Sequence, residues 1–194
     1  MNVSDAIQKR RSVRKYKDIP INDSVLEEII QDACWAPSAV NLQPWYYVVV
    51  RSEDGKKRVL EKMSEVAKKT EPSLTERFSK HPDVVKDTLR FIENLGDAPV
   101  IVLAFLNKKE LPILHDGAIQ SVAAANENLL LSAYAHDVSG CWMTAPVEAL
   151  MGDDFRNEFA PESGELVSII TLGYAADGAI PAPPRRKDDR YVFV

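Results

Sequence analysis

Apolar residues occur in three short runs that predict β-strands. Residues 45–50 combine aromatic and β-branched side chains, residues 99–105 are apolar throughout, and residues 165–172 form a third, largely apolar run. β-Branched and aromatic side chains favour extended backbone, and a continuous apolar run is typical of a strand covered on both faces. The sequence therefore predicts three strands, of which the second is buried.

Apolar residues three or four positions apart predict helices around the first strand. Residues 4–8 predict a short helix with Ser4 as its cap. Cap candidates at residues 22–24 open a second helix, which has apolar residues at helical spacing and is predicted to stop at Pro37. Residues 55–68 have the amphipathic pattern of a third helix.

The longest predicted helix covers roughly residues 117–135, with Asp116 as its cap. At about 1.5 Å per residue it would span roughly 28 Å, the width of a small domain. Its residues are almost all small or apolar, and a helix that is apolar over most of its circumference has to be covered on all sides. We expect this cover to include another subunit.

Two further segments are charged or rich in proline. Residues 71–95 are charged and predicted to be mostly helical, interrupted by Pro82; such a stretch is usually solvated, and here it is a candidate lid. The tail at residues 181–190 has prolines that exclude a helix or a central strand. It ends in strand-forming residues 191–194, which predict an arm that adds an edge strand elsewhere, for example on a partner; a frayed terminus is the alternative.

Composition narrows the class of protein. The 194 residues are predicted to form one domain over residues 1–194, and 45% apolar with 27% charged residues excludes disordered and fibrous proteins. The chain has no run of 18 apolar residues and no signal-peptide pattern, so we expect a cytoplasmic protein with no membrane partner. A net charge of −5 argues against nonspecific binding to nucleic acid.

The cysteines and histidines give no sign of a metal site. Cys34 and Cys141 are far apart in sequence, and a reducing compartment favours two buried thiols over a disulfide. His81, His115 and His136 form no H-x-x-x-H pair, and no Ser-His-Asp triad has a local signature. We therefore predict no metal and no catalytic histidine or cysteine.

Basic residues are concentrated at both ends of this acidic chain. Arg10, Arg11, Arg14 and Lys15 surround Ser12 near the start. A second group, close to the end, is Arg185, Arg186 and Lys187. Residues 13–16 are predicted to be extended, so Arg10, Ser12 and Arg14 would share one face, on which guanidinium and hydroxyl groups suit a phosphate or a carbonyl edge. An enclosed anionic ligand would offset the repulsion; a solvated arginine patch is the alternative.

A loop rich in short polar side chains joins the second helix to the first strand. Ser38, Asn41 and Gln43 supply donors and acceptors, and Pro37 and Pro44 bracket the loop. A restrained loop loses less conformational freedom when it hydrogen-bonds a ligand. The loop is therefore a second candidate ligand-binding element, although a simple turn uses similar residues.

Taken together, these motifs resemble the nitroreductase family of FMN-dependent oxidoreductases. The resemblance rests on Arg10-Arg11-Ser12-Val13-Arg14 and on Pro37-Ser38-x-x-Asn41-x-Gln43-Pro44-Trp45. Cys141-Trp142-Met143-Thr144-Ala145-Pro146, Leu172-Gly173-Tyr174 and Pro183-Pro184-Arg185-Arg186-Lys187 agree in order and spacing. One departure is a segment at residues 136–140 with a single glycine, where many relatives have a glycine-rich turn.

The resemblance implies an α+β fold with a central, mostly antiparallel sheet flanked by helices. It implies an intertwined homodimer with the C-terminal arm exchanged and two FMN sites at the interface. NADH or NADPH would deliver hydride to FMN, and a nitroaromatic, quinone or similar electron acceptor would then take its place in a ping-pong reaction. No side chain has to act as an acid or base, because the cofactor carries the hydride chemistry.

The resemblance also implies which residues bind FMN. In the arginine and serine cluster (Arg10, Arg11, Ser12 and Arg14), Arg10 and Ser12 would hold the phosphate and ribityl chain together with Arg185, Arg186 or Lys187, and Arg14 would lie beside N1 and the C2 carbonyl. Arg11 is also implied to bind the cofactor. The partner subunit would supply Pro37, Ser38, Asn41 and Gln43. The backbone of Pro146, Val147, Glu148 and Ala149 would face N5 and the C4 carbonyl.

Two alternatives to this function stay open. The first is an FMN enzyme of the same fold with other chemistry, such as ene reduction, dehalogenation or dehydrogenation. The second is a non-catalytic module that only binds FMN or another phosphate ligand. Phe78 and Phe91, in the charged stretch, are the aromatic residues best placed to line a substrate pocket.

Overall fold

The computed structural model describes residues 2–108, 114–176, 182–185 and 190–194. Within these ranges the helices are α1 Val3–Lys9, α2 Asp23–Ala33, α3 Glu53–Arg77, α4 Pro82–Asn94, α5 His115–Ala135, α6 Ala145–Glu148 and α7 Gly152–Phe159. The strands are β1 Trp45–Val50, β2 Val100–Leu106, β3 Ser139–Met143 and β4 Leu166–Gly173. Short 3₁₀ turns occur at Ala39–Asn41 and Leu95–Asp97.

The four strands form one antiparallel sheet with the order β1-β2-β4-β3. All seven residues of β2 are buried at the centre, which confirms the prediction from its continuous apolar run. The prediction of an α+β fold with a mostly antiparallel sheet flanked by helices is therefore confirmed.

Helices cover both faces of the sheet. Successive side chains of a strand point to opposite sides, so neighbouring residues of β2 pack against different helices. On β2, Ile101 and Leu103 join a core cluster with Met63 of α3 and Phe155 of α7. Val102, between them in sequence, joins a second cluster that contains Leu129 of α5, together with α2. The sheet is thus the middle layer of three, and α5 packs directly on it.

The segment after α1 crosses the end of the sheet. Ser12 forms a parallel bridge with Gly140 of β3, and the Val13 N–H donates to the Gly140 carbonyl at 3.1 Å. Tyr16 is buried, and its hydroxyl lies 2.6 Å from the Val13 carbonyl oxygen and 2.7 Å from Thr171 Oγ1. These bonds hold residues 13–16, the segment predicted to be extended, against the sheet.

Several predicted element ends were wrong. Asn2, not Ser4, caps α1, because its side chain accepts the Asp5 N–H at 2.8 Å. Asp116 lies inside the first turn of α5 rather than at the cap. α2 ends at Ala33, before the expected stop at Pro37.

The charged region forms two helices that are divided differently from the prediction. α3 continues through Pro72 to Arg77, well beyond the predicted end at residue 68. Pro82 occupies the first turn of α4, a position that needs no backbone N–H donor. The predicted interruption at Pro82 is therefore confirmed.

Other predictions have mixed outcomes. Both cysteines are free; Cys141 is buried as predicted, but Cys34 is exposed. Residues 191–194 are exposed and form no strand in the described structure, and the exchanged arm stays a prediction. Among the described helices, none has the length and apolar character needed to cross a bilayer.

Candidate functional site

A cleft of about 590 Å³ lies between residues 12–15 and helix α4. We call it the N-terminal cleft; its walls include Ser12, Arg14, Arg90, Phe91 and Asn94. The volume falls in the range of about 300–1,000 Å³ that is usual for small-molecule sites. Two of the predicted ligand-binding residues, Ser12 and Arg14, therefore border a real cavity.

Arg14 supplies an available positive charge to this cleft. Its guanidinium lies 5.7 Å from the centre of the Phe91 ring, a distance typical of a cation–π contact. Within the described parts of the chain, no hydrogen bond or ion pair is recorded for this guanidinium. Its donors can therefore serve a ligand in the cleft.

Gly96 allows the backbone of Arg14 to approach closely. Its φ of +65° lies in the left-handed region, and a Cβ at this position would be 2.3 Å from the Arg14 carbonyl oxygen. The Gly96 carbonyl also accepts the Tyr16 N–H at 3.1 Å. The tight turn at Leu95–Asp97 thus supports the segment that carries Arg14.

Three of the predicted ligand-binding residues lie in the neighbourhood of Cys141. Burial raises the pKa of the Cys141 thiol, while the charge of Arg14, a hydrogen bond from Ser12 and the charge of Arg10 act to lower it. All three groups are therefore close enough to the start of β3 to influence the same thiol. That Arg10, Ser12 and Arg14 share one face stays a prediction.

Unlike Arg14, Arg10 and Arg11 have hydrogen-bond partners within the described chain. Arg10 donates from Nε and Nη2 to the carboxylate of Glu127 on α5, at 2.9 and 3.2 Å. Arg11 donates from Nη1 to the carbonyls of Gln8 and Arg10, so it caps the end of α1. Arg11 thus has a structural task in addition to any contact with a cofactor.

The polar loop lines a second cleft of about 630 Å³, which we call the loop cleft. Asn41 and Gln43 are among its walls, and the Gln43 amide donates to Asn41 Oδ1 at 3.0 Å. Ser38 Oγ accepts the Gln43 N–H, and the Ala39 N–H donates to Ser121 Oγ of α5 at 3.0 Å. The loop is therefore restrained by hydrogen bonds as well as by Pro37.

Within one chain the two clefts are separate and share no lining residue. Helix α5 connects them, since Ser121 holds the loop and the Leu130 side chain lies against Gly140 beside Ser12. Nine residues of helix separate these anchors, about 14 Å along its axis. The two clefts thus lie at different points along α5.

The predicted backbone element at residues 146–149 forms the turn of α6. The N–H groups of Val147 and Glu148 both donate to the Thr144 carbonyl, and the Ala149 N–H donates to Ala145. Pro146 has no N–H and is buried. A ligand would therefore have to share these N–H groups with acceptors inside the turn, and the flavin contact stays a prediction.

The remaining predicted residues are less defined. Arg185 is exposed, and Arg186 and Lys187 lie outside the described residues. Phe91 lines the N-terminal cleft as expected, whereas Phe78 is half-buried beside Arg77 and is not among the residues that line it.

Sequence reasoning missed the polar side chains that α4 presents to the N-terminal cleft. Asp87, Arg90 and Asn94 occupy one face of the helix, at intervals of three and four residues. The spacing is visible in the sequence, but nothing in the sequence shows which face of a charged, solvated helix borders a cavity.

The chain is similar to known proteins over most of its length. A model described as the Nitroreductase family matches residues 7–174. The "Putative NADH dehydrogenase/NAD(P)H nitroreductase" of Archaeoglobus fulgidus is 30% identical over 172 residues, which cover 88% of this chain and 84% of the relative. An iodotyrosine deiodinase of Nematostella vectensis is 29% identical over 193 residues, covering 93% and 70%.

A solved structure has the same fold. A nitroreductase with bound FMN from Desulfitobacterium hafniense DCB-2 aligns with a TM-score of 0.74 and 20% identity, covering 99% of both chains. The family match includes both clefts, the arginine and serine cluster and the sheet on which they rest. By this extended match in sequence, the chain belongs to the nitroreductase family.

Proposed function

We propose that the protein is an FMN-dependent oxidoreductase that takes hydride from NADH or NADPH. It passes the electrons to a small electrophilic acceptor, such as a nitroaromatic or a quinone. The observation that carries the proposal is the pair Ser12 and Arg14 on the wall of the N-terminal cleft, with Arg10 close enough to act on the same Cys141 thiol. Family membership and the FMN bound in a nitroreductase of the same fold support the choice of cofactor.

The chemistry of the donors fits FMN, which has a dianionic phosphate and a polar pyrimidine edge. Arg10 and Ser12 would bind the phosphate end, because guanidinium and hydroxyl groups donate to phosphate oxygens. Arg14 would lie at the pyrimidine edge, where its charge stabilises negative charge near N1. When bound, FMN supplies the hydride-transfer chemistry, and the protein supplies binding, orientation and electrostatics.

We further propose that two copies of the chain form each site. The loop cleft with Asn41 and Gln43 would lie against the N-terminal cleft of a partner. Trp35 is 85% exposed and Val40 79% exposed beside this loop, an unusual exposure for large apolar side chains. On α5, Ala123 and Ala124 are only half-buried, so small residues are available for close contact with another copy.

The α4 residues that line the N-terminal cleft would influence which reductant and which acceptor can bind there. Arg90 and Asp87 are both exposed and border the N-terminal cleft, where NAD(P)H and the acceptor would bind in turn. Within the described chain, neither charge has a recorded ion-pair partner that would neutralise it. An open cleft with both signs of charge suits a permissive site.

The purified protein tests this proposal directly. It should carry bound FMN and show a flavin absorption band, which anaerobic NADH or NADPH should bleach. A nitroaromatic or quinone added afterwards should restore the band, with parallel lines in double-reciprocal plots of steady-state rates. A protein that binds no FMN, or whose flavin neither nicotinamide reduces, would refute the proposed activity.

Reductive dehalogenation is a second candidate, favoured by the similarity to an iodotyrosine deiodinase over 93% of the chain. The same assay separates the two functions if a halogenated phenol replaces the nitroaromatic. Release of halide with reoxidation of the flavin would favour dehalogenation. Reoxidation only by nitroaromatics and quinones would favour the first candidate.

A further inference from the structure

Arg10 is held by a carboxylate on α5, the helix that connects the two clefts. Glu127 of α5 accepts two hydrogen bonds from its guanidinium, through Nε and Nη2. Side-chain exposure is 29% for Arg10 and 39% for Glu127, so the pair is only partly screened by solvent. A paired interaction of this kind fixes the plane of the guanidinium as well as its distance.

The backbone of Arg10 is fixed independently of its side chain. Arg10 is the C-cap of α1, and its N–H donates to the Ala6 carbonyl at 3.0 Å. Ala6 is buried, and α1 packs against α5. Glu127 therefore determines where the flexible end of a residue with a well-placed backbone points.

The pair leaves donors available to a ligand. A guanidinium has five N–H donors, and Glu127 engages the Nε side of the fork. The Nη1 hydrogens and one Nη2 hydrogen remain. This is the arrangement expected when one anion orients an arginine and a second anion is bound by it.

We propose that Glu127 is a positioning residue that orients Arg10 toward the phosphate of FMN. This inference rests on the proposed function, and it assigns to Glu127 a role that acts only through Arg10. Glu127 places a negative charge near a phosphate dianion, so charge alone predicts the opposite effect from orientation. The sign of the effect of removing Glu127 therefore decides between the two.

Affinity for FMN and for riboflavin, which lacks the phosphate, separates orientation from general damage. Dissociation constants are measured on flavin-free full-length protein by the quenching of flavin fluorescence. Arg10→Ala should weaken FMN binding by roughly 10- to 100-fold, the loss expected for a hydrogen bond between charged groups. Glu127→Ala should weaken it by roughly fivefold, since the pair is partly exposed. Riboflavin affinity should stay within about twofold of wild type in both variants.

The conservative variant and the double variant make the test specific. Glu127→Gln keeps one acceptor for the guanidinium and removes the charge, so FMN affinity should stay within about twofold of wild type. In the Arg10→Ala background, Glu127→Ala should cause no further loss. Asp116→Ala removes the same charge from the other end of α5 and should leave both affinities unchanged.

Three results would overturn the inference. Tighter FMN binding by Glu127→Ala would show that repulsion outweighs orientation. Equal losses for FMN and riboflavin, or the same loss with and without Arg10, would show a structural effect that does not pass through Arg10. If the wild-type protein binds neither flavin, the proposed function fails instead, and this outcome is recognisable before any variant is made.

Discussion

Replacement of Gly96 by alanine should destabilise the turn that supports Arg14. The new Cβ would lie 2.3 Å from the Arg14 carbonyl oxygen and 2.7 Å from its carbonyl carbon, well inside van der Waals contact. The φ of +65° adds a cost of roughly 1–2 kcal/mol for a residue with a side chain. Relief of the overlap costs about 1–3 kcal/mol more.

The expected loss in the free energy of unfolding for Gly96→Ala is therefore about 2–5 kcal/mol, or roughly 4–20 °C in Tm for a chain of this size. Urea denaturation followed by circular dichroism measures it. Gly152→Ala is a matched control, because its Cβ would meet Leu166 at an ordinary 3.7 Å in the first turn of α7. If Gly96→Ala were as stable as this control, the close packing of Gly96 against the Arg14 backbone would be refuted.

Three further variants test the site and its support. Arg14→Ala should bind FMN but make the flavin midpoint potential more negative by tens of millivolts, on the order of 1–3 kcal/mol of lost electrostatic stabilisation; an unchanged potential in spectroelectrochemistry would contradict the placement of Arg14 near N1. Tyr16→Phe removes the hydroxyl that bonds Thr171 and should cost about 1–2 kcal/mol in urea denaturation, whereas an unchanged midpoint would show that these bonds add nothing. The hydrogen bond to Glu165 raises the pKa of His115, with a smaller contribution from Asp116, so the stability that these pairs add is present below about pH 6.5 and lost as pH rises through the folded-state pKa; Glu165→Gln should remove most of this pH dependence, and an identical profile in the variant would exclude Glu165 as its main source.

The sequence pattern was sufficient to predict the elements whose structure depends mainly on their own residues. β1 was predicted with its observed bounds, because six consecutive aromatic and β-branched residues leave little alternative to a strand. β2 was recognised from its continuous apolar character, which reflects cover by α3 and α5 on opposite faces. The interruption predicted at Pro82 was also correct. Proline is favoured in the first turn of a helix, because a backbone N–H at that position would have no acceptor within the helix.

Tertiary contacts decided the elements that the sequence did not reveal. β3 was not predicted, because Ser139 to Met143 contains Gly140, and its partners, β4 and Ser12, are distant in sequence. Gly140 is required there, since a Cβ would lie 2.8 Å from Leu130 and 2.9 Å from the Thr171 carbonyl. The strand exists because of these long-range neighbours rather than through its own propensity.

The candidate site shows the same division. The arginine, serine and polar-loop motifs were identified from the sequence, and the structure places Ser12 and Arg14 at one cleft and Asn41 and Gln43 at another. The ion pair between Arg10 and Glu127 was not predictable, because the partners are 117 positions apart and nothing in the sequence indicates which acid on α5 faces the cluster. The α4 residues that line the N-terminal cleft could not be predicted for a similar reason.

A crystal structure of the FMN-loaded protein is the most direct test of whether two chains share one flavin, bound between the N-terminal cleft of one chain and the loop cleft of the other. The account predicts FMN with its phosphate at Arg10 and its pyrimidine edge at Arg14 of one chain, and with Asn41 and Gln43 of a second chain at the same flavin. An FMN molecule bound within a single chain, or away from both arginines, would contradict it.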